Sequence, residues 1–355
     1  MSDTDEIKKA DIRIDEAKIV SIKRPLLLTL LVFSFAMGVF MGWGMVMFTS
    51  QPAEKGEAAP VNSDGTFRFI RASVKPGEPG KNLSTRELKP FQYKVNDLVE
   101  SVLKSGDVVA VSVYFRDLNN GNWFGIRERE KFSQKNLLKL PLMIAYFKWA
   151  EFNPLVLRRT IPYTGKELLA EQTAVKPLHD LEPGNSYTVN DLIFRMIVYD
   201  DAAAYSLLMT NLPPDRLDSV FTDLDVEYNP LKKEDPISLS AFASFYRILF
   251  NASYLSEEMS EKALRYLTKS ALKGGMASGI PPNMDIASKF GERTIFVSTG
   301  GVEKKLYQRH EFAIIYHPNR PFLIGIMVQG DDFDTLTKVV RDITNLVYLE
   351  VDQQS

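Results

Sequence analysis

KFSQKNLLKLPLMIAYFKW, residues 131–149, places a polar turn directly before a strongly apolar stretch. The spacing predicts an amphipathic helix over 137–151, with Asn136 at its first turn. Lys139 follows three residues later, on the same helix face as Asn136. A lysine in so apolar a helix needs a charged partner or solvent for its head group, because burying an unpaired ammonium is costly. This stretch therefore predicts a polar site at the start of a buried helix.

Strands are predicted towards both ends of the remaining sequence. Residues 108–115 (VVAVSVYF) and 122–126 (NWFGI) flank the hairpin signal Asn119-Asn120-Gly121, and residues 312–317 (FAIIYH) and 322–329 (FLIGIMVQ) form a second hairpin. Helices are predicted over 91–105, 137–151, 189–209, 238–250, 256–272 and 335–348. This order predicts an α/β fold, an antiparallel sheet from both chain ends flanked by helices, with an all-helical lobe.

Residues 25–48 are apolar and uncharged, and as a helix they would span about 36 Å, enough to cross a bilayer. A buried core helix and a cleaved signal peptide are the alternatives, but the first would rarely stay uncharged for so long and the second would be shorter. Basic residues, including Lys23 and Arg24, precede this segment. They predict a single-pass membrane protein with a cytoplasmic N-terminus and an extracytoplasmic C-terminal domain.

The chain is thus divided into a cytoplasmic segment 1–24, a transmembrane helix 25–48, a flexible linker 49–90 and a folded domain 91–355. The linker is assigned on its Pro, Gly, Ser and charged residues, which show little apolar periodicity outside 67–70.

Composition excludes several function classes. The formal charge of −2 and the pI near 6.1 argue against nucleic acid as a partner. The chain has no cysteine, and its three histidines lack metal-ligand spacing, so we predict no metal and no cofactor. His310 is interpreted as a polar residue at a strand start.

With these elements in place, the chain resembles the class A β-lactamases and penicillin-binding proteins. Residues 131–149 resemble their S-x-x-K helix, and residues 196–209 (MIVYDDAAAYSLLM) align with the S-D-N helix. Lys289-Phe290-Gly291 stands where the family has K-T-G, and residues 310–330 resemble the closing hairpin. The resemblance covers about residues 91–350 and implies a serine-hydrolase fold with a cleft between two lobes.

The resemblance also implies that the catalytic positions are altered. Asn136 stands at the position of the nucleophilic serine, and a carboxamide has no hydroxyl to form an acyl-enzyme. Asp200 replaces the serine of S-D-N, Asp201 retains its aspartate, and Ala202 replaces its asparagine. Lys139 is retained. We expect it and Lys289 to form ion pairs with Asp200.

The binding positions implied by the resemblance are Lys289, Phe290 and Gly291. Phe290 takes the place of the threonine, and Asp200 would compete with a substrate carboxylate for Lys289. Weak binding of β-lactam-like ligands is therefore expected.

Substitute catalytic residues are few. Ser133 lies six positions before Lys139, nearly two helical turns away, so it does not reproduce the S-x-x-K geometry. Glu234 and Asp235 fall near the expected position of a deacylating acid, but a surface loop explains them better. The segment Ser298-Thr299-Gly300 is placed in a loop between strands.

Three functions remain open. The first is a catalytically inactive, membrane-anchored pseudoenzyme that binds a peptidoglycan-like peptide or a protein partner. The second is a working hydrolase, such as a β-lactamase, carboxypeptidase or esterase, with an unrecognised nucleophile. The third is a structural scaffold in the cell envelope.

Overall fold

The computed structural model describes residues 67–71, 85–133, 135–165, 180–227, 236–271, 274–299 and 302–355. No helix within these ranges is long and apolar enough to cross a membrane. The transmembrane helix predicted at 25–48 lies outside them, so the anchor stays a prediction.

The strands and helices follow the predicted order of an α/β domain. The strands are β1 (Val108–Asp117), β2 (Trp123–Ile126), β3 (Lys131–Ser133), β4 (Thr160–Pro162), β5 (Ser186–Thr188), β6 (Pro236–Ser238), β7 (Ile286–Thr299), β8 (Val302–Ile315) and β9 (Phe322–Gly330). The helices are α1 (Thr85–Ser105), α2 (Lys139–Phe152), α3 (Val189–Val198), α4 (Ala202–Asn211), α5 (Pro214–Asp223), α6 (Leu239–Phe250), α7 (Glu257–Thr268) and α8 (Phe333–Gln353). Short 3-10 turns occupy Lys135–Leu138, Pro154–Arg158 and Gly275–Gly279.

A five-stranded antiparallel sheet in the order β2-β1-β9-β8-β7 joins the two ends of the domain. The first strand pairs with the last, with Val113 opposite Ile326. Nearly every residue of β9 is buried, as expected of a strand that is covered on both faces. Each fully buried large apolar side chain contributes about 1.5–3 kcal/mol, so this strand is a main source of stability.

Helices cover both faces of the sheet. One core cluster packs α1 and α8 against one face, and includes Phe91, Phe115 and Ile343. The other joins the opposite face to the helical lobe through α2, α3 and α6, with Phe312 at the boundary. Ten of the 14 residues of α2 are buried, most of them in this second cluster, and the helix carries its first residue, Lys139, into the interior.

The predicted continuous helix over 189–209 is wrong, because the chain breaks between α3 and α4. Asp201 caps α4: its Oδ1 accepts hydrogen bonds from the backbone N–H groups of Ala203 and Ala204 at 2.9 and 3.0 Å. A capping residue leaves the helical conformation. The preceding Asp200 adopts the left-handed region with φ +58°, which aspartate tolerates better than most residues.

Other element boundaries also differ from prediction. Strand β8 begins at Val302 and β7 continues to Thr299, so Ser298 and Thr299 end a strand and do not lie in a loop. The long hairpin also puts His310 in the middle of β8, not at its start. Helix α1 begins at Thr85, inside the range assigned to the linker, and residues 67–71 of that range lie against the domain.

Candidate active site

Three charged side chains meet where the helical lobe joins the sheet. The Lys139 Nζ donates to Asp200 Oδ1 at 2.6 Å and to the Asp200 backbone carbonyl at 2.8 Å. The Lys289 Nζ forms a short ion pair with the same Oδ1. The side chains of Lys139, Asp200 and Lys289 are 2%, 5% and 1% exposed, so solvent does not compete for these bonds. The predicted ion pairs are confirmed.

Each of these residues is positioned by its own element. Lys139 starts α2, Lys289 lies in β7, and Asp200 occupies the break between α3 and α4. The left-handed backbone of Asp200 lets both its side chain and its carbonyl face Lys139. Asp201 is occupied as the α4 cap, and Ala202 is the first residue of that helix.

A second charged cluster lies next to Phe290. The buried Arg309 pairs through short contacts with Glu292 and Glu311, and its Nε donates to Glu311 at 3.1 Å. The Phe290 ring lies 5.7 Å from the Arg309 guanidinium and 5.0 Å from the Lys289 ammonium. The other Glu311 oxygen accepts from the Met276 N–H at 2.7 Å. All ionic groups of Arg309 and Glu311 are thus engaged by the protein itself.

The two clusters balance in charge. Lys139, Lys289 and Asp200 carry a formal +1, while Arg309, Glu292 and Glu311 carry a formal −1. A site that binds an anionic ligand needs a cation with unused donors, because a buried cation already paired gains little from a second anion. The cations of both clusters are therefore poorly placed to attract a further carboxylate.

Sequence reasoning missed Arg309, Glu292 and Glu311. The signal was present in the hairpin, since Glu292 lies directly opposite Arg309 and Glu311 follows two residues later on the same face. The cluster can be recognised only when the β7–β8 register is known. It was missed because the start of β8 was predicted ten residues too late.

The structure describes the other predicted site residues to different extents. Asn136 lies in the 3-10 turn Lys135–Leu138, one turn before Lys139, and Ser133 ends β3, but the side chains of both lie outside the described part. Glu234 lies outside the described residues altogether. Gly291 is buried in β7, opposite His310. Their catalytic and binding roles stay predictions.

His310 does not have the surroundings of a general base. Burial lowers its pKa to about 3, so the imidazole is neutral at pH 7. It packs edge-on against Phe132 at 5.3 Å, and neither ring nitrogen has a hydrogen-bond partner among the described residues. Within those residues, no group of His, Asp or Glu side chains is arranged to hold a metal ion.

The pKa of Lys139 leads us to expect that the stability of the domain depends on pH. Burial lowers its pKa from 10.5 to about 8, Asp200 opposes this effect and Lys289 adds to it. Between pH 8 and 10.5 the unfolded chain therefore binds more protons than the folded one, so the free energy of unfolding should rise with pH. We expect a gain of about 2 kcal/mol from pH 7.5 to 9.5 by denaturant unfolding.

The matched variant is Lys139→Met, which removes the titrating group and should lose this gain. The chain has no cysteine, so no thiol titrates in this window. A wild-type stability that falls between pH 7.5 and 9.5 relative to the variant would contradict the assigned direction.

Comparisons with known proteins agree with this architecture. The family model described as the beta-lactamase enzyme family matches residues 91–351. The solved structure of PBP-A is 18% identical with a TM-score of 0.63, over 75% of this chain and 97% of that one. No curated protein sequence matches the chain.

Two further solved structures are similar to the same degree. A beta-lactamase from Xanthomonas campestris is 17% identical, with a TM-score of 0.62 over 74% of this chain and 98% of that one. A class A beta-lactamase from Mycobacterium abscessus is 18% identical, with a TM-score of 0.61 over 73% and 99%. At these identities the likeness establishes the fold alone.

Proposed function

This chain belongs to the beta-lactamase enzyme family, and from that premise we propose that it is a membrane-anchored, extracytoplasmic member that no longer forms an acyl-enzyme. Its role is then non-covalent, as a binder of a peptidoglycan-like peptide or of a protein partner. The observation that supports this most directly is Asp200, which holds both Lys139 and Lys289 in buried ion pairs.

The chemistry of acyl transfer explains why Asp200 matters. A lysine acts as a general base only when it can give up and accept a proton at working pH, and an adjacent carboxylate favours its charged form. Lys139 donates to two oxygens of Asp200 at once. Burial lowers the pKa of Lys139 to about 8, but its Nζ is already hydrogen-bonded to Asp200, and the carboxamide of Asn136 offers no hydroxyl to activate.

A structural role in the cell envelope is the second candidate, and the burial of the charged centre favours it. Lys139 and Lys289 are at most 2% exposed, so a ligand would have to displace Asp200 to reach them. A protein partner that contacts the outer surface of the domain does not have to displace Asp200. A peptidoglycan-like peptide has to bind weakly if it uses the former catalytic centre.

Membrane attachment and reversible binding test this proposal together. We expect the full chain to stay with membranes through alkaline extraction, and a chain that lacks residues 1–50 to be released. A fluorescent penicillin and a peptidoglycan stem peptide, titrated into the detergent-solubilised full chain, should bind with a dissociation constant above about 100 μM, that is, more weakly than about −5.5 kcal/mol. Denaturation of the chain should release all of the bound fluorescent penicillin.

Two results would count against the proposal. Fluorescent penicillin that stays with the denatured chain indicates a covalent adduct and an unrecognised nucleophile. Full chain that is released by alkaline extraction indicates that residues 25–48 do not span the bilayer.

A further inference from the structure

A short segment far ahead of α1 is bound to the folded domain. Residues 67–71 (FRFIR), here called the strap, fall within the range whose composition predicts a flexible linker. Phe69 and Ile70 are nevertheless only 5% and 6% exposed, as buried as core residues of the sheet. The strap therefore occupies a site on the domain that composition does not reveal.

The backbone of the strap makes four hydrogen bonds to the domain. The N–H groups of Phe69 and Ile70 both donate to Glu261 Oε2, at 2.7 and 3.2 Å. The Arg71 N–H donates to the Phe250 carbonyl at 2.8 Å, and the Tyr316 hydroxyl donates to the Phe69 carbonyl at 3.1 Å. Glu261 is completely buried, and a buried carboxylate without such donors would be strongly destabilising. The strap and Glu261 thus depend on each other.

The strap side chains add specificity to these contacts. The Phe69 ring packs against Tyr316 with ring centroids 5.2 Å apart. Arg68 pairs with Asp285 at 2.5 Å, and the Arg71 guanidinium donates to Asn119 Oδ1. These partners lie in the turn after β1, in α6 and α7, and directly beside the ends of β7 and β8. The site thus holds a bent segment with the order basic, aromatic, aliphatic, basic.

We propose that the strap is an integral part of the folded domain, because its N–H groups are donors that the buried Glu261 carboxylate needs. The folded domain then begins at residue 67 and not at the start of α1 at Thr85. This role of the strap is independent of the proposed membrane anchor.

Hydrogen exchange of the detergent-solubilised full chain tests the strap itself. We expect the amides of Phe69 and Ile70 to exchange at least 100-fold more slowly than in a free peptide. Phe69→Ala and Glu261→Gln should each reduce that protection at least tenfold, while amides of β9 stay protected and report an intact fold. The matched control is Phe296→Ala, since Phe296 is 64% exposed, and it should leave the strap unchanged. If the amides of Phe69 and Ile70 in the wild type exchange as fast as in a free peptide, the proposal is overturned.

Discussion

Asp200→Asn is expected to destabilise the domain by about 3 kcal/mol at pH 7, because it leaves two buried ammonium groups without a counter-charge. Asparagine keeps the shape of the side chain and tolerates the left-handed backbone that Asp200 adopts at φ +58°. The loss therefore reports charge and not strain. Denaturant unfolding of the full chain at pH 7 measures it.

Two controls separate this effect from others. Asp225→Asn makes the same substitution at another left-handed residue, φ +52°, whose side chain is exposed, and should change stability by no more than about 0.5 kcal/mol. Adding Lys139→Met to Asp200→Asn should recover a large part of the lost stability. If Asp200→Asn is as mild as Asp225→Asn, the ion pairs are not what holds this centre together.

Asn136→Ser alone is expected to give no detectable acylation by penicillin, although it restores the missing hydroxyl. The reason is again Asp200, which still binds Lys139 through two oxygens and opposes its action as a base. In triad enzymes the loss of the nucleophile or its base alone costs on the order of a millionfold in turnover, so one restored group recovers little. Intact-mass spectrometry after incubation with penicillin measures the acylated fraction.

The matched variant combines Asn136→Ser, Asp200→Ser and Ala202→Asn. Removal of the carboxylate frees the Lys139 Nζ from its hydrogen bonds to Asp200 and removes the charge that opposes the lowering of its pKa, while the Lys289 ammonium lowers that pKa further. We expect this triple variant to acylate at least 100-fold faster than the single variant. Acylation of Asn136→Ser alone at the rate of the triple variant would show that Asp200 does not block the chemistry.

Much of the fold could be predicted from periodicity. The two terminal hairpins and the apolar helix after Asn136 have strong local patterns, and the structure contains them. The break between α3 and α4 was missed because MIVYDDAAAYSLLM has no glycine or proline to mark it. Asp201 caps the second helix. A capping aspartate inside an otherwise helical pattern is only a weak sign in the sequence that one helix ends and another begins.

The site was predictable in part for a similar reason. The pairing of Lys139 and Lys289 with Asp200 follows once the family positions are matched, because two buried ammonium groups require a counter-charge. The Arg309 cluster and the strap site depend on residues far apart in sequence, such as Glu261 and Phe69, 192 positions apart. No local pattern brings such residues together.

Intact-mass spectrometry of the detergent-solubilised full chain tests most directly whether this site forms an acyl-enzyme. The chain is incubated with penicillin and a panel of β-lactams, beside an acylating member of the family as a positive control. We expect an unchanged mass for this chain in every case. An added mass equal to one β-lactam, located by peptide mapping to any residue, would contradict it.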